Sequence, residues 1–411
     1  MTSIDAHFKT LRESFETRIP YTGGLHTVKP EDLVLYYDVE GEEHPCRIDL
    51  SSAREAELVA LTAACQKASF GLGGKDVLDE SYRKAGKMDT TSFAARFDVS
   101  GLLEIISPEI LGAQDAKESQ YLRAELYKLN DTPRNEDMIG SLVVIYPTAH
   151  EGGGLALEHG GKNWVFDSAA EISAAEETPA LAYVAFYSDV THAVETVSTG
   201  HRVTLTYNLF LADRGAGAVQ RHVPGPEQAF ERALRALLAD SSFLPDDGLL
   251  GFGLEHQYPL PSSSQSVSYS VPSRLSRVLR LLKGSDAHIR AVSERVGLET
   301  TVMILYDDSS KYGLRVRDLL ADDVLDLEHI RLEQGDEEDF QRELSQMGWV
   351  VKEAEEDEEG EIEVDWVIPL NALNRVSSSF IAYGNEATVA YVYGNAALFV
   401  KVPAAGKGVR A

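Results

Sequence analysis

The chain has 411 residues, 44% of them hydrophobic and 25% charged, a composition that suits a folded globular protein long enough for two cores. Its formal net charge of −28 argues against partners such as nucleic-acid phosphates or an anionic membrane surface, and no apolar run approaches the length of a bilayer span. Cys46 and Cys65 are the only cysteines, which excludes a disulfide framework and a cysteine-built zinc site, so any metal must be held by histidines and carboxylates.

The opening, MTSIDAHFKTLRESF, is charged and amphipathic where a secretion signal would be apolar. The expectation is a cytoplasmic or nuclear protein. Ile4, Phe8, Leu11 and Phe15 recur at helical spacing and predict a first helix. Ser52 and Glu55 have the spacing of a capping box, followed by Leu58, Leu61 and Cys65 on one helical face. Between these helices, Leu33 to Asp38 and Cys46 to Leu50 are short apolar-rich runs that predict strands.

From Ala124 to Leu211 the pattern turns to strands separated by glycine, proline or polar clusters. The predicted strands are Ala124 to Leu129, Ser141 to Tyr146, Gly154 to His159, Asn163 to Phe166, Leu181 to Tyr187 and Val203 to Leu209. Many short strands in succession indicate a sandwich or barrel. Beyond Asp213, three apolar stripes predict helices around Phe230 to Leu238, Leu275 to Leu282 and Ile289 to Val296, and strands are expected at Ala387 to Tyr393 and Ala396 to Val402. The acidic run Glu353 to Asp365 reads as a solvated loop. Three regions are expected: 1–115, helices and strands supporting the core; 116–212, the β-core; and 213–411, an α+β unit that can be read as a degenerate copy of that core.

The segment from Tyr183 to Leu209, YVAFYSDVTHAVETVSTGHRVTLTYNL, carries the candidate chemistry. His192 precedes a turn at Ser198 to Gly200, and Arg202 begins a strand whose apolar Val203, Leu205, Tyr207 and Leu209 alternate with Thr204, Thr206 and Asn208. Two neighbouring strands would set an imidazole and a guanidinium on one wall. His150 and His159 flank the glycines of HEGGGLALEH without matching a zinc motif and read as hairpin residues. His201 should face away from Arg202, and Asp189 reads either as a partner for the second nitrogen of His192 or as a surface residue.

This segment resembles the prolyl 4-hydroxylase-like, Fe(II) and 2-oxoglutarate-dependent dioxygenases, and the similarity extends to a fungal group of that family. It rests on RIDLSSA, DVLDESYRKAGKMDTTSFAARFDV, ELYKLN, DTPRNEDMIGSLVVIYP and HEGGGLALEHGGKNWVFD as well, well over a third of the chain. The resemblance implies an α+β fold with a double-stranded β-helix (jelly-roll) core, flanking helices and a C-terminal α+β unit. It also implies an iron held by two histidines and one carboxylate, 2-oxoglutarate and dioxygen as co-substrates, and ascorbate as a candidate auxiliary reductant.

On that resemblance His192 is an iron ligand, Asp131 is the carboxylate of the family's His-x-Asp motif, and Arg202 clamps the distal carboxylate of 2-oxoglutarate. Asp131 has an equal claim as a turn residue in Asn-Asp-Thr-Pro. The sequence departs from the family at the first histidine: Leu129 stands there, and Asn130 runs directly into Asp131. A turn and a strand, about ten residues, are missing. The expected activity is hydroxylation of a protein side chain, prolyl among the candidates, or of a small molecule. The alternatives are a catalytically silent binding scaffold on the same fold and a cupin-like module, which leaves Arg202 without a role.

Overall fold

The computed structural model describes residues 3–14, 19–67, 70–72, 75–77, 86–111, 120–127, 138–174, 179–213, 225–261, 274–306, 318–327, 331–332, 337–352, 361–383 and 387–410. The fold is mixed α+β with mostly antiparallel strands. It divides into two compact units, one formed by 19–110 with 119–217 and the other by 1–18, 111–118 and 218–411. These borders differ from the expected 1–115, 116–212 and 213–411. The first helix, Ser3–Glu13, belongs with the C-terminal residues because Phe8 packs edge-on against Phe243 at 5.9 Å and the Arg12 Nε donates to the Val367 carbonyl at 2.6 Å.

Ten of the strands in the unit that contains His192 surround the site. They are β1 Tyr21–Thr27, β2 Gln120–Leu126, β3 Met138–Ile145, β4 His150–Gly152, β5 Leu155–His159, β6 Lys162–Phe166, β7 Ala180–Tyr187, β8 Thr191–Val194, β9 Val197–Gly200 and β10 Thr204–Asp213. A five-stranded antiparallel sheet has the order β1-β7-β3-β10-β2. Strand β7 is buried at all eight positions, which is why ALAYVAFY carries no polar alternation. The remaining strands form the smaller arrays β6-β5-β8 and β4-β9.

The two faces of the larger sheet follow from its register. Leu142, Val144, Leu205, Tyr207 and Leu209 point to one side, where the helix Ser100–Leu111 buries Leu102, Ile106 and Ile110 and the Tyr187 hydroxyl donates to the Ile110 carbonyl at 3.1 Å. Ser141, Val143, Thr204, Thr206, Val184 and Phe186 point to the other, toward the smaller arrays. Close approach there explains Gly23: a Cβ at that position would lie 2.8 Å from the Phe166 ring and 2.9 Å from the Tyr183 carbonyl. The helix Glu55–Ala64 starts one residue after Arg54, whose N–H is accepted by the Glu57 carboxylate at 2.8 Å, so the cap is not the expected Ser52. Leu58 and Leu61 are buried as the spacing predicts.

The other unit is built on β11 Gly248–Gly253, β12 Glu299–Tyr306, β13 Leu319–Ala321, β14 Arg331–Leu332, β15 Trp349–Val350, β16 Val364–Ile368, β17 Arg375–Tyr383 and β18 Ala387–Val402. The sheet runs β14-β17-β18-β12-β13-β15, while β11 joins β18 to β16. It curls until Val351 bridges Ile362. Its inner side holds Leu249, Met303, Leu305, Leu320, Ala397 and Phe399, with the Trp366 indole against Phe399 at 5.5 Å. Gly251 makes room for that indole, since a Cβ there would sit 2.6 Å from it. The two strands expected at Ala387 to Val402 are one sixteen-residue strand, and the acidic run ends inside β16.

Polar clamps hold the connections of this unit. The buried Asp286 carboxylate accepts the backbone N–H groups of Glu255 and His256 at 3.1 and 3.2 Å and the Tyr258 hydroxyl at 2.7 Å. Arg410 donates to five backbone carbonyls, those of Leu238, Asp240, Phe243, Leu244 and Pro403. All five guanidinium N–H groups are thereby used.

Candidate functional site

Residues Tyr187 to Val190 form the turn that leads from β7 into β8, closed by the Val190 N–H donating to the Tyr187 carbonyl at 3.1 Å. His192 follows on β8, paired with Leu157 of β5. Leu155 and Leu157 are buried, so their side of the array is the inward one, and register puts His192 on it. Its ring meets Phe186 of the larger sheet with centroids 4.6 Å apart, yet the residue remains exposed to solvent.

The His192 Nδ1 lies 3.1 Å from the Val190 carbonyl. A carbonyl only accepts, so Nδ1 carries a proton, and in the neutral tautomer that fits this contact the lone pair is on Nε2. Backbone orientation of a histidine in this way is the usual support for a metal-binding nitrogen. A main-chain carbonyl thus faces the second nitrogen, for which Asp189 was one of two readings.

Arg202 lies just before β10. The ladder between β3 and β10 continues toward it, with the Tyr146 N–H donating to the Val203 carbonyl at 3.0 Å and the His201 N–H to the Ala149 carbonyl at 3.2 Å. Its side chain leans over Gly153, where a Cβ would lie 2.8 Å from the Arg202 Cδ and 2.9 Å from a Val197 methyl. Gly154 faces the opposite way, toward Val165 and Glu195, so Gly153 shares the inward side with Leu155 and Leu157. The Nε and Nη2 atoms of Arg202 are buried.

Gly153 and Leu157, the neighbours of Arg202 and His192, are four positions apart, roughly 13 Å along a strand. One wall thus carries an exposed imidazole lone pair at one point and a withdrawn, permanently charged guanidinium at another. Two of the three glycines of HEGGG are demanded by contact: a Cβ at Gly152 would sit 2.3 Å from the Thr196 carbonyl and one at Gly153 would displace Arg202, whereas one at Gly154 would meet the movable carboxylate end of Glu195 at 2.8 Å.

The remaining histidines separate cleanly. His201 faces the helix Glu55–Ala64, with Nε2 3.1 Å from Glu55 and Nδ1 3.3 Å from the Thr62 hydroxyl, as its position beside Arg202 predicts. His159 ends a hairpin whose turn, Gly160 and Gly161, has φ of 56° and 73°. His150 is more than a hairpin residue: its Nδ1 is 2.7 Å from the Thr148 carbonyl and its Nε2 is buried. The signal for it was the tight glycine run that follows. Asp131 lies outside the described residues.

On the other side of the larger sheet, burial raises the Tyr207 phenol to about 12, helped by the charge of Asp98, and raises Tyr146 beyond the usual phenol range. Both stay neutral at physiological pH and serve packing. No protein-family model matches this chain, and neither a curated protein nor a solved structure does so.

Proposed function

We propose that the chain is an Fe(II) and 2-oxoglutarate-dependent dioxygenase of the prolyl 4-hydroxylase-like type, acting on a protein side chain or a small molecule. The observation that carries this reading is the alternation of strands between sheets around His192 and Arg202. Strand β3 lies in the larger sheet, β4 to β6 in the smaller arrays, β7 in the larger, β8 and β9 in the smaller and β10 in the larger again. That back-and-forth path is how a double-stranded β-helix, or jelly-roll, is wound.

Two of the three iron ligands are assigned, His192 and Asp131, with Leu129 where the first histidine would stand, and Arg202 suits the 2-oxoglutarate carboxylate. Nε2 of His192 is oriented by the Val190 carbonyl to accept a divalent metal, with Asp131 the carboxylate proposed beside it. The gap of roughly 13 Å between the neighbours of His192 and Arg202 leaves room for a metal ion and a diacid end to end. When bound, the iron and 2-oxoglutarate supply the oxidising chemistry, with succinate and carbon dioxide as the products of the keto acid. The chain's own contribution is positional: Arg202 holds the far carboxylate by paired N–H donors, and the Gly153 gap lets its side chain lie flat against the wall. Phe186 keeps the His192 ring from turning.

A non-catalytic binding module on the same scaffold is the second reading, favoured by Leu129 in place of the first iron-binding histidine. The same assay separates the two. With Fe(II), 2-oxoglutarate and oxygen, the full chain should release succinate, and Arg202→Leu or His192→Ala should reduce the rate by roughly a hundredfold or more, the loss expected for a charge-assisted anchor or a metal ligand. Binding of 2-oxoglutarate without succinate release would favour the silent module. Absence of both would overturn the reading.

A further inference from the structure

The buried Nε2 of His150 has no hydrogen-bond partner among the described residues, although Nδ1 is fixed 2.7 Å from the Thr148 carbonyl. A nitrogen withdrawn from water in a polar wall is costly unless a ligand completes it. Its location indicates which ligand. His150 pairs with Gly200, two positions before Arg202, and the register shifts between Glu151 and Gly152. Val197 and Arg202 both lean over Gly153.

The Arg202 backbone begins next to Thr148 and Ala149, because the Thr148 hydroxyl donates to the His201 carbonyl at 2.5 Å and the His201 N–H to the Ala149 carbonyl. Its Cδ ends over Gly153. A side chain that starts across from residues 148 and 149 and ends at 153 passes His150. Both groups then face one space, and the glycines at 152, 153 and 200, with φ of 73°, 73° and 74°, are what let the strands close around it.

We propose that His150 is a second anchor for the carboxylate held by Arg202, so that the far end of a small dicarboxylate is gripped by a guanidinium and an imidazolium together. This rests on the reading of Arg202 given above. Because Nδ1 already donates to a carbonyl, an imidazole that also donates from Nε2 must carry both protons, and ligand binding takes up a proton. The charged groups near His150 are Arg202, which leans over Gly153, its chain neighbour Glu151, Glu195, which contacts Gly154 on the outward side, and His201, which is turned to Glu55.

The test is calorimetric titration of 2-oxoglutarate into the full chain loaded with Mn(II), near neutral pH and in two buffers of different ionisation enthalpy. The wild type should bind with net proton uptake. His150→Leu should bind roughly tenfold to a hundredfold more weakly and without uptake, as expected for loss of one charge-assisted donor. His150→Gln, which keeps an amide donor near the Nε2 position, should recover most of the affinity and still take up no proton. A wild type that binds without proton uptake, or a His150→Leu variant of unchanged affinity, would overturn the inference while an Arg202→Leu variant that fails to bind upholds the reading beneath it. If the wild type binds no 2-oxoglutarate, both fall together.

Discussion

Asp286 shows how a single buried carboxylate sets the pH response of the C-terminal residues. Burial raises its pKa from 3.8 to about 6, against the charge of His256 and the hydrogen bonds from Tyr258 and Glu255, which pull it down. Between those two values the folded chain keeps a proton that the unfolded chain has released. The stabilisation from this group is therefore full below about pH 4 and is lost as the pH rises through 6, by on the order of 3 kcal/mol. Urea denaturation of wild type and Asp286→Asn across that range should give a stability difference that falls as the pH rises, and a difference that grows instead would mean that the hydrogen bonds outweigh burial. His192 and Arg202 were candidates in the sequence because both sit near one turn in a continuous segment that resembles a known family. Asp286 could not, since the groups it serves, Glu255, His256 and Tyr258, lie about thirty positions earlier in the chain.

Strands were legible where one face is buried and the other is polar, or where, as in Leu181 to Tyr187, a long apolar run stands between polar stretches. Val203 to Leu209 alternates cleanly and falls within β10 apart from its first residue, and Asn163 to Phe166 lies within β6. The strand Tyr21–Thr27 was not legible, because YTGGLHT has two glycines that look like a turn until Phe166 is known to lie against Gly23. Likewise Gly248–Gly253 carries no alternation, being buried at all six positions. The order in which the strands alternate between sheets was not legible either, because no residue pattern encodes which strand crosses to which sheet.

A contrast between two glycines tests how tightly β4 and β9 are joined. Gly200 and Gly160 both have positive φ, but a Cβ at Gly200 would lie 2.1 Å from the Ala149 carbonyl, whereas nothing lies within 4 Å of one at Gly160. Gly160→Ala should cost about 1 kcal/mol from backbone conformation alone, and Gly200→Ala about 3 kcal/mol because a backbone must also move. Equal losses in thermal or urea unfolding would show that the β4–β9 contact yields easily.

Over the whole molecule the charge of −28 is the dominant long-range term. Like charges on one folded chain repel, and salt screens them as the Debye length falls from about 30 Å at about 0.01 M to about 8 Å at about 0.15 M. The melting temperature should rise over that range of sodium chloride, followed by circular dichroism. A falling melting temperature would mean that ion pairs such as Arg295 with Glu227 and Glu231, or Arg274 with Asp323, outweigh the net repulsion. No helix of the described residues is long and apolar enough to cross a membrane.

The helix Ser3–Glu13 has a consequence for synthesis. Its Arg12 waits for the Val367 carbonyl, 355 positions further on, and its Phe8 for Phe243. At about 5–20 residues per second the ribosome takes roughly twenty seconds to a minute to deliver the later partner. During that interval Phe8 and Leu11 project from a nascent chain whose intervening residues, 19–110 and 119–217, are free to fold first. A helix made this long before its partners is thus among the last elements of its unit to dock, and its apolar face is the natural handle for a chaperone that holds growing chains.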